Sequence, residues 1–168
     1  MNEVVWGLDG TTWAVMGAAF AAIGGGIGSA IGITSISNAA TGIVTEDSEK
    51  FGRMLPLAAM PGTQGIYGLI TAILVLSFFG FFGDAVPAID ASTGFKVFLA
   101  CLPVAFICLV SAIYQGMTAV GAAGMVARRS EEAGKALIFP ALVETYAVFS
   151  LITTIIILSR IAALYPAS

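Results

Sequence analysis

Residues 133–164 read AGKALIFPALVETYAVFSLITTIIILSRIAAL. About 20 consecutive apolar residues are enough to cross the hydrocarbon core of a bilayer as an α-helix. This run is longer, and between Lys135 and Arg160 it carries one charged side chain, Glu144. It reads as a membrane span with a carboxylate near its middle. Three more apolar segments run from about Thr11 to Thr45, Phe51 to Phe82 and Gly94 to Ala127. Their separators are polar or turn-rich: Glu46 to Lys50, Gly83 through Thr93, and Arg128 to Glu132. All four segments exceed the minimum length, so they project beyond the hydrocarbon or tilt within it.

Composition agrees. Of 168 residues, 58% are hydrophobic and 10% charged, with a mean hydropathy of +0.99. A soluble domain is about 25% charged, and one of this size could not bury so much apolar surface without lipid. The net charge of −3 favours no nucleic acid. Cys101 and Cys108 lie seven residues apart in one apolar run and read as packing residues. With no histidine in the chain, a zinc or haem site is not expected. Met1-Asn2-Glu3 lacks the positive region of a signal peptide, so the first segment is expected to stay as a membrane helix.

The chain repeats itself. Leu69-Ile70-Thr71-Ala72-Ile73 returns as Leu151-Ile152-Thr153-Thr154-Ile155, an offset of 151 − 69 = 82. The same offset pairs Ser29-Ala30-Ile31 with Ser111-Ala112-Ile113, Gly42 with Gly124, Ser48-Glu49 with Ser130-Glu131, and Gly52-Arg53 with Gly134-Lys135. One gap-free offset across five places marks a duplication. The expected fold is an all-α membrane protein, one domain over residues 1–168, with four transmembrane helices as two parallel copies of a hairpin. Hairpin 1 covers about 11–82 and hairpin 2 about 94–164. The copies differ at one telling place: Glu144 falls opposite Gly62.

Orientation follows from the basic residues. Lys50, Arg53, Arg128, Arg129 and Lys135 flank the first and third connections, whereas only Lys96 and Arg160 fall on the other side. The positive-inside rule then puts loops 46–53 and 128–135 in the cytoplasm of a multi-pass cell-membrane protein and both termini outside.

A carboxylate inside a membrane span costs several kcal/mol unless protonated, paired or bound to a cation, which makes Glu144 a functional candidate. Thr63 and Gln64 lie at comparable depth in the second segment, in Pro61-Gly62-Thr63-Gln64, and Tyr67 shares a face with Thr63. Pro61 removes a backbone donor and Gly62 permits close approach, so together they can open a carbonyl nearby. Gln115 adds a further amide from the third segment. Each of these alone would serve as an interhelical hydrogen bond. As a set, neutral oxygens around one carboxylate suit a hard monovalent cation. Tyr146, two residues after Glu144, is expected to face away from it. In the first segment, Gly17-Ala21-Gly25 and Gly24-Gly28-Gly32 form small-residue stripes that allow close helix packing on more than one side. No Gly-Lys-Ser/Thr follows them, which excludes a phosphate loop.

These features resemble the duplicated proteolipid, the K or c component, of V-type and archaeal-type rotary ATPases, over essentially the whole chain. Pro61-Gly62-Thr63-Gln64-Gly65-Ile66-Tyr67-Gly68, Gln115 and Leu142-Val143-Glu144-Thr145-Tyr146 are similar to the sodium-carrying bacterial type. The resemblance implies a ring of identical subunits in lipid, with helices 1 and 3 lining its inner wall. It implies a Na+ site at Glu144, Thr63, Gln64 and Gln115 with the Met60 carbonyl, and a supporting hydrogen bond from Tyr67. It further implies a membrane stator subunit and central-stalk subunits on the cytoplasmic side as partners. ATP hydrolysis would lie in partner subunits, with no catalytic site and no organic cofactor in this chain. A proton-carrying proteolipid would keep Glu144 but make the amides incidental. A passive pore or structural oligomer leaves the lone carboxylate unexplained. A secondary transporter fits less well, because inverted repeats are frequent in that class and these are parallel.

Overall fold

The computed structural model describes residues 4–165; Met1-Asn2-Glu3, with the expectation that rests on them, lie outside this range. Among the described residues four helical segments are long and apolar enough to cross a membrane: α1 (Gly10–Glu46), α2 (Ser48–Phe78), α3 (Ala91–Arg128) and α4 (Ser130–Leu164).

Local chemistry sets their ends. α1 and α3 start at aspartate caps, where the Asp9 and Asp90 carboxylates accept from the backbone N–H of Thr12 at 2.7 Å and Thr93 at 3.0 Å. These bonds, foremost those involving Thr12 and Thr93, hold both carboxyls below the usual carboxylate range. The first tight turn is braced by Lys50, whose Nζ donates to the Ala127 carbonyl at 2.9 Å and pairs with Asp47 at 3.2 Å.

Two boundaries depart from the sequence-based reading. α2 ends at Phe78 rather than about Phe82, because Gly80 adopts φ 80°. The Phe81 N–H then returns to the Leu76 carbonyl at 2.9 Å, and the Gly80 N–H approaches the Ser77 carbonyl at 3.5 Å. This glycine-dependent motif closes the last helical turn. α3 begins at Ala91, three residues before Gly94, because the Asp90 cap captures that turn.

α2 and α4 are not uniform rods. α2 passes from α-helix (Phe51–Ala59) through a 3-10 turn (Met60–Gly62) and resumes at Thr63–Phe78. The break coincides with Pro61, which has no N–H to donate. α4 has a short helix (Ala133–Ala136), then Leu137, then the long helix Ile138–Leu164, with Pro140 in its first turn. Proline is tolerated there because the first turn's N–H groups have no partner within the helix.

α1 packs most extensively against α3, with α2 on α1 and α4 on α3. The glycines explain how. Gly24, Gly28 and Gly32 lie directly against the backbones of Ala105, Leu109 and Ala112 in α3, while Gly25 lies against Gln64 in α2. α1 is therefore crowded on two sides, as its stripes predict. Two apolar clusters fill the interior. One contains Ala14, Val75, Phe79, Val97, Cys101 and Leu158; the other contains Ile36, Met54, Leu57, Ala119 and Val126. Cys101 and Cys108 are buried free thiols in the first. Ser29, Gln64, Ser111 and Gln115 are buried polar residues belonging to neither cluster.

Candidate functional site

Gln64, Ser111 and Gln115 belong to one hydrogen-bonded network with Glu144. The break at Pro61 restarts α2 at Thr63, and a restarting helix leaves its first N–H groups without intrahelical partners. Ser29 of α1 accepts from one of them, the Gly65 N–H, at 2.8 Å. That bond anchors the new first turn and aims its side chains at α3 and α4. The Thr63 hydroxyl lies 2.9 Å from the Met60 carbonyl and 3.2 Å from Gln64 Oε1, and its single proton serves these two acceptors.

Gln64 and Gln115 are fully buried. Gln64 Nε2 donates to Gln115 Oε1 at 2.7 Å and approaches Ser111 Oγ at 3.5 Å. Gln115 Nε2 donates to the Pro140 carbonyl at 3.0 Å and to Glu144 Oε2 at 3.3 Å. The other carboxylate oxygen, Oε1, accepts from the Tyr67 hydroxyl at 2.8 Å. Two neutral donors from two helices thus hold Glu144. Among the described residues the only ion pairs are Lys50–Asp47 and Lys135–Glu132, so no cationic side chain neutralises it.

Met60, Thr63, Gln64, Tyr67, Gln115 and Glu144, the residues singled out in the sequence, form one chain of contacts across α2, α3 and α4. Pro61 and Gly62 form the break beneath them. Tyr146 is 65% exposed, turned away from the network and packed edge-on against Phe149. Ser111 was missed as a site residue: its hydroxyl donates to the Val143 carbonyl at 3.0 Å and meets Gln64. Its position four residues before Gln115, on the same helical face, was the available signal. The Pro140 carbonyl had no side-chain signal at all.

Chemically, the site offers the Glu144 carboxylate, two amide oxygens, the hydroxyls of Thr63, Tyr67 and Ser111, and the main-chain carbonyls of Met60 and Pro140. Among the described residues no three of His, Cys, Asp and Glu come together as a metal cluster. The donor set suits a hard ion of low charge, held mainly by neutral oxygens.

Two known proteins resemble the chain over most of its length. The chain is 38% identical over 157 residues to the V-type sodium ATPase subunit K of Enterococcus hirae, covering 94% of this chain and 97% of that one. It is 40% identical over 152 residues to the A-type ATP synthase subunit K of Methanocaldococcus jannaschii, covering 89% of this chain and 64% of that one. Residues 16–75 and 98–157 each match the family of the ATP synthase C subunit, and 98 − 16 = 82 reproduces the internal offset. The chain belongs to the ATP synthase C-subunit family and carries its unit twice.

Proposed function

We propose that the chain is the ion-carrying subunit of a V-type ATPase rotor ring and that its cargo is Na+, bound at Glu144. The observation that carries this reading is a membrane-helix carboxylate held only by neutral groups, the Tyr67 hydroxyl at 2.8 Å and the Gln115 amide at 3.3 Å. Glu144 supplies the charge, and Thr63, Gln64, Gln115 and the Met60 carbonyl supply neutral oxygens. Tyr67 keeps the carboxylate oriented while the ion enters and leaves. Threonine and amide oxygens around a lone carboxylate exceed what a proton requires. The subunit K of the Enterococcus hirae sodium ATPase supports the same ion.

Neutralisation is the point of the site. A bare carboxylate crosses hydrocarbon at great cost, whereas a loaded site carries no net charge past lipid. Moving one cation against 100 mV costs about 2.3 kcal/mol. ATP hydrolysis in partner subunits supplies it through central-stalk subunits that meet the 46–53 and 128–135 turns on the cytoplasmic side. A membrane stator subunit opens the loading and release paths, and this chain takes no catalytic part. With one carboxylate per four helices, each turn of the ring carries half the ions that two would carry, and more energy is available per ion.

The test is carbodiimide labelling of purified rings at mildly acidic pH, mapped by mass spectrometry. Carbodiimides attack protonated carboxylic acids, so modification is expected on Glu144. Slowing by millimolar sodium but not potassium supports the Na+ site. Labelling that follows pH and ignores sodium replaces it with the proton-carrying reading. No labelling of Glu144 would leave a structural oligomer as the better account.

A further inference from the structure

The contact that hairpin 1 makes with hairpin 2 has a counterpart on the free flank of hairpin 2, because the two are copies. In the α1–α3 contact, Gly24, Gly28 and Gly32 face Ala105, Leu109 and Ala112. Adding 82 to the first set gives Phe106, Val110 and Tyr114; subtracting it from the second gives Ile23, Ile27 and Ala30. All six are exposed. The large side chains among them, Phe106 at 58%, Val110 at 50%, Tyr114 at 57%, Ile23 at 56% and Ile27 at 50%, are among the most exposed apolar groups. Phe106, Val110, Tyr114 and Tyr146 line one apolar groove on the α3–α4 flank.

The same offset carries the ion site to that flank. Gln64 becomes Tyr146, Tyr67 becomes Phe149, Glu144 becomes Gly62 and Gln115 becomes Ile33. Only the two aliphatic hydroxyl residues keep their type, Thr63 as Thr145 and Ser111 as Ser29. The carboxylate and both amides are gone. The space opened at Gly62 is already faced by Ile33, whose Cδ1 lies 3.3 Å from where a Cβ would sit.

From this juxtaposition we infer that each boundary between neighbouring copies holds a closed counterpart of the ion site, plugged by Tyr146 of one copy against Gly62 and Ile33 of the next. The occupant of the α3–α4 groove is α1 of a second copy of this chain, seated through Ile23, Ile27 and Ala30 in the register that α3 keeps on α1 within one chain. The second site is absent through filled volume as well as through lost charge. Where α1 presents glycines, α3 presents Phe106, Val110 and Tyr114, so the helices stand farther apart at the boundary than inside one copy. The inference rests on the ring of the proposed function but not on the identity of its ion.

Two measurements on assembled rings test it, in a background with Cys101 and Cys108 replaced by alanine. Oxidation of the double variant Ile33→Cys, Tyr146→Cys should give a ladder of cross-linked multimers on a denaturing gel. Pairing Tyr146→Cys with Val15→Cys, 18 residues up α1 and about 27 Å away at 1.5 Å per residue, should give none. An intact ring with no ladder from the first pair, or equal ladders from both, overturns the register. Absence of any ring would instead overturn the proposed function. Second, Ile33→Cys should react slowly with a small membrane-permeant thiol reagent, and adding Tyr146→Ala should speed it at least tenfold. Equal rates with and without Tyr146→Ala overturn the plug.

Discussion

At the same depth, hairpin 1 carries Gly62 after a proline-broken turn and hairpin 2 carries Glu144 within a continuous helix. The break in α2 makes that helix a source of neutral groups: the Met60 carbonyl, the Thr63 hydroxyl and the Gln64 amide. The unbroken turn of α4 presents the charge. One copy thus supplies neutral groups from α2 and the other supplies the carboxylate. α1 and α3 diverged in parallel. α1 uses glycine to approach α3 closely, while α3 carries Gln115, where α1 has Ile33, and its amide holds α4. The difference teaches that a repeated backbone can specialise by exchanging a few side chains at one level of the membrane.

The largest effect should come from making α4 resemble α2 in charge. Glu144→Gln keeps the shape but removes the carboxylate from the middle of the span, and ATP-driven sodium uptake into vesicles should fall to background while the ring still assembles. Next is Gln115→Leu, which gives α3 an apolar residue where α1 has Ile33. It strips Glu144 Oε2 and Gln64 Nε2 of a partner. Loss of a hydrogen bond to a charged group, about 1.5–3 kcal/mol, should weaken sodium protection against carbodiimide by about 10- to 100-fold. Tyr67→Phe copies Phe149 of the other hairpin and removes one donor to Glu144. Sodium protection should weaken by about tenfold, at the lower end of that range.

The smallest effect on sodium binding should come from packing alone, which is read as stability. A methyl at Gly28 would come within 2.6 Å of the Leu109 carbonyl oxygen and 2.8 Å of its Cα, whereas one at Gly42 meets nothing within 4 Å. Gly28→Ala should cost about 1–3 kcal/mol of stability through overpacking against rigid backbone. Gly42→Ala should stay within about 0.5 kcal/mol. Heat- or detergent-driven ring dissociation compares them; equal behaviour would remove the close-packing role of the stripe.

Much of this was legible in the residues. The four spans, the repeat and the isolation of Glu144 needed only counting, because the cost of charge in lipid is set by the residue and its apolar neighbours. Tyr67 could be assigned to the face of Thr63 from helical spacing. The end of α2 was not legible: Phe79, Phe81 and Phe82 extend the apolar run, and only the left-handed Gly80 stops the helix. Ser111 escaped because a serine in an apolar helix most often bonds its own backbone, and its bond to Val143 depends on where α4 lies.

The sequence by itself determined that this protein spans a membrane four times as a doubled hairpin and holds one carboxylate there. Those properties follow from local apolarity and from the lipid around it. Only the tertiary structure decided which groups meet that carboxylate. Tyr67, Gln115 and Glu144 sit on three helices, and Tyr67 and Glu144 are 77 residues apart in the chain. Their meeting depends on how closely the glycines of α1 let α3 approach and on where the broken helix at Pro61 restarts. Those distances are collective properties of packed backbones, which no single segment encodes.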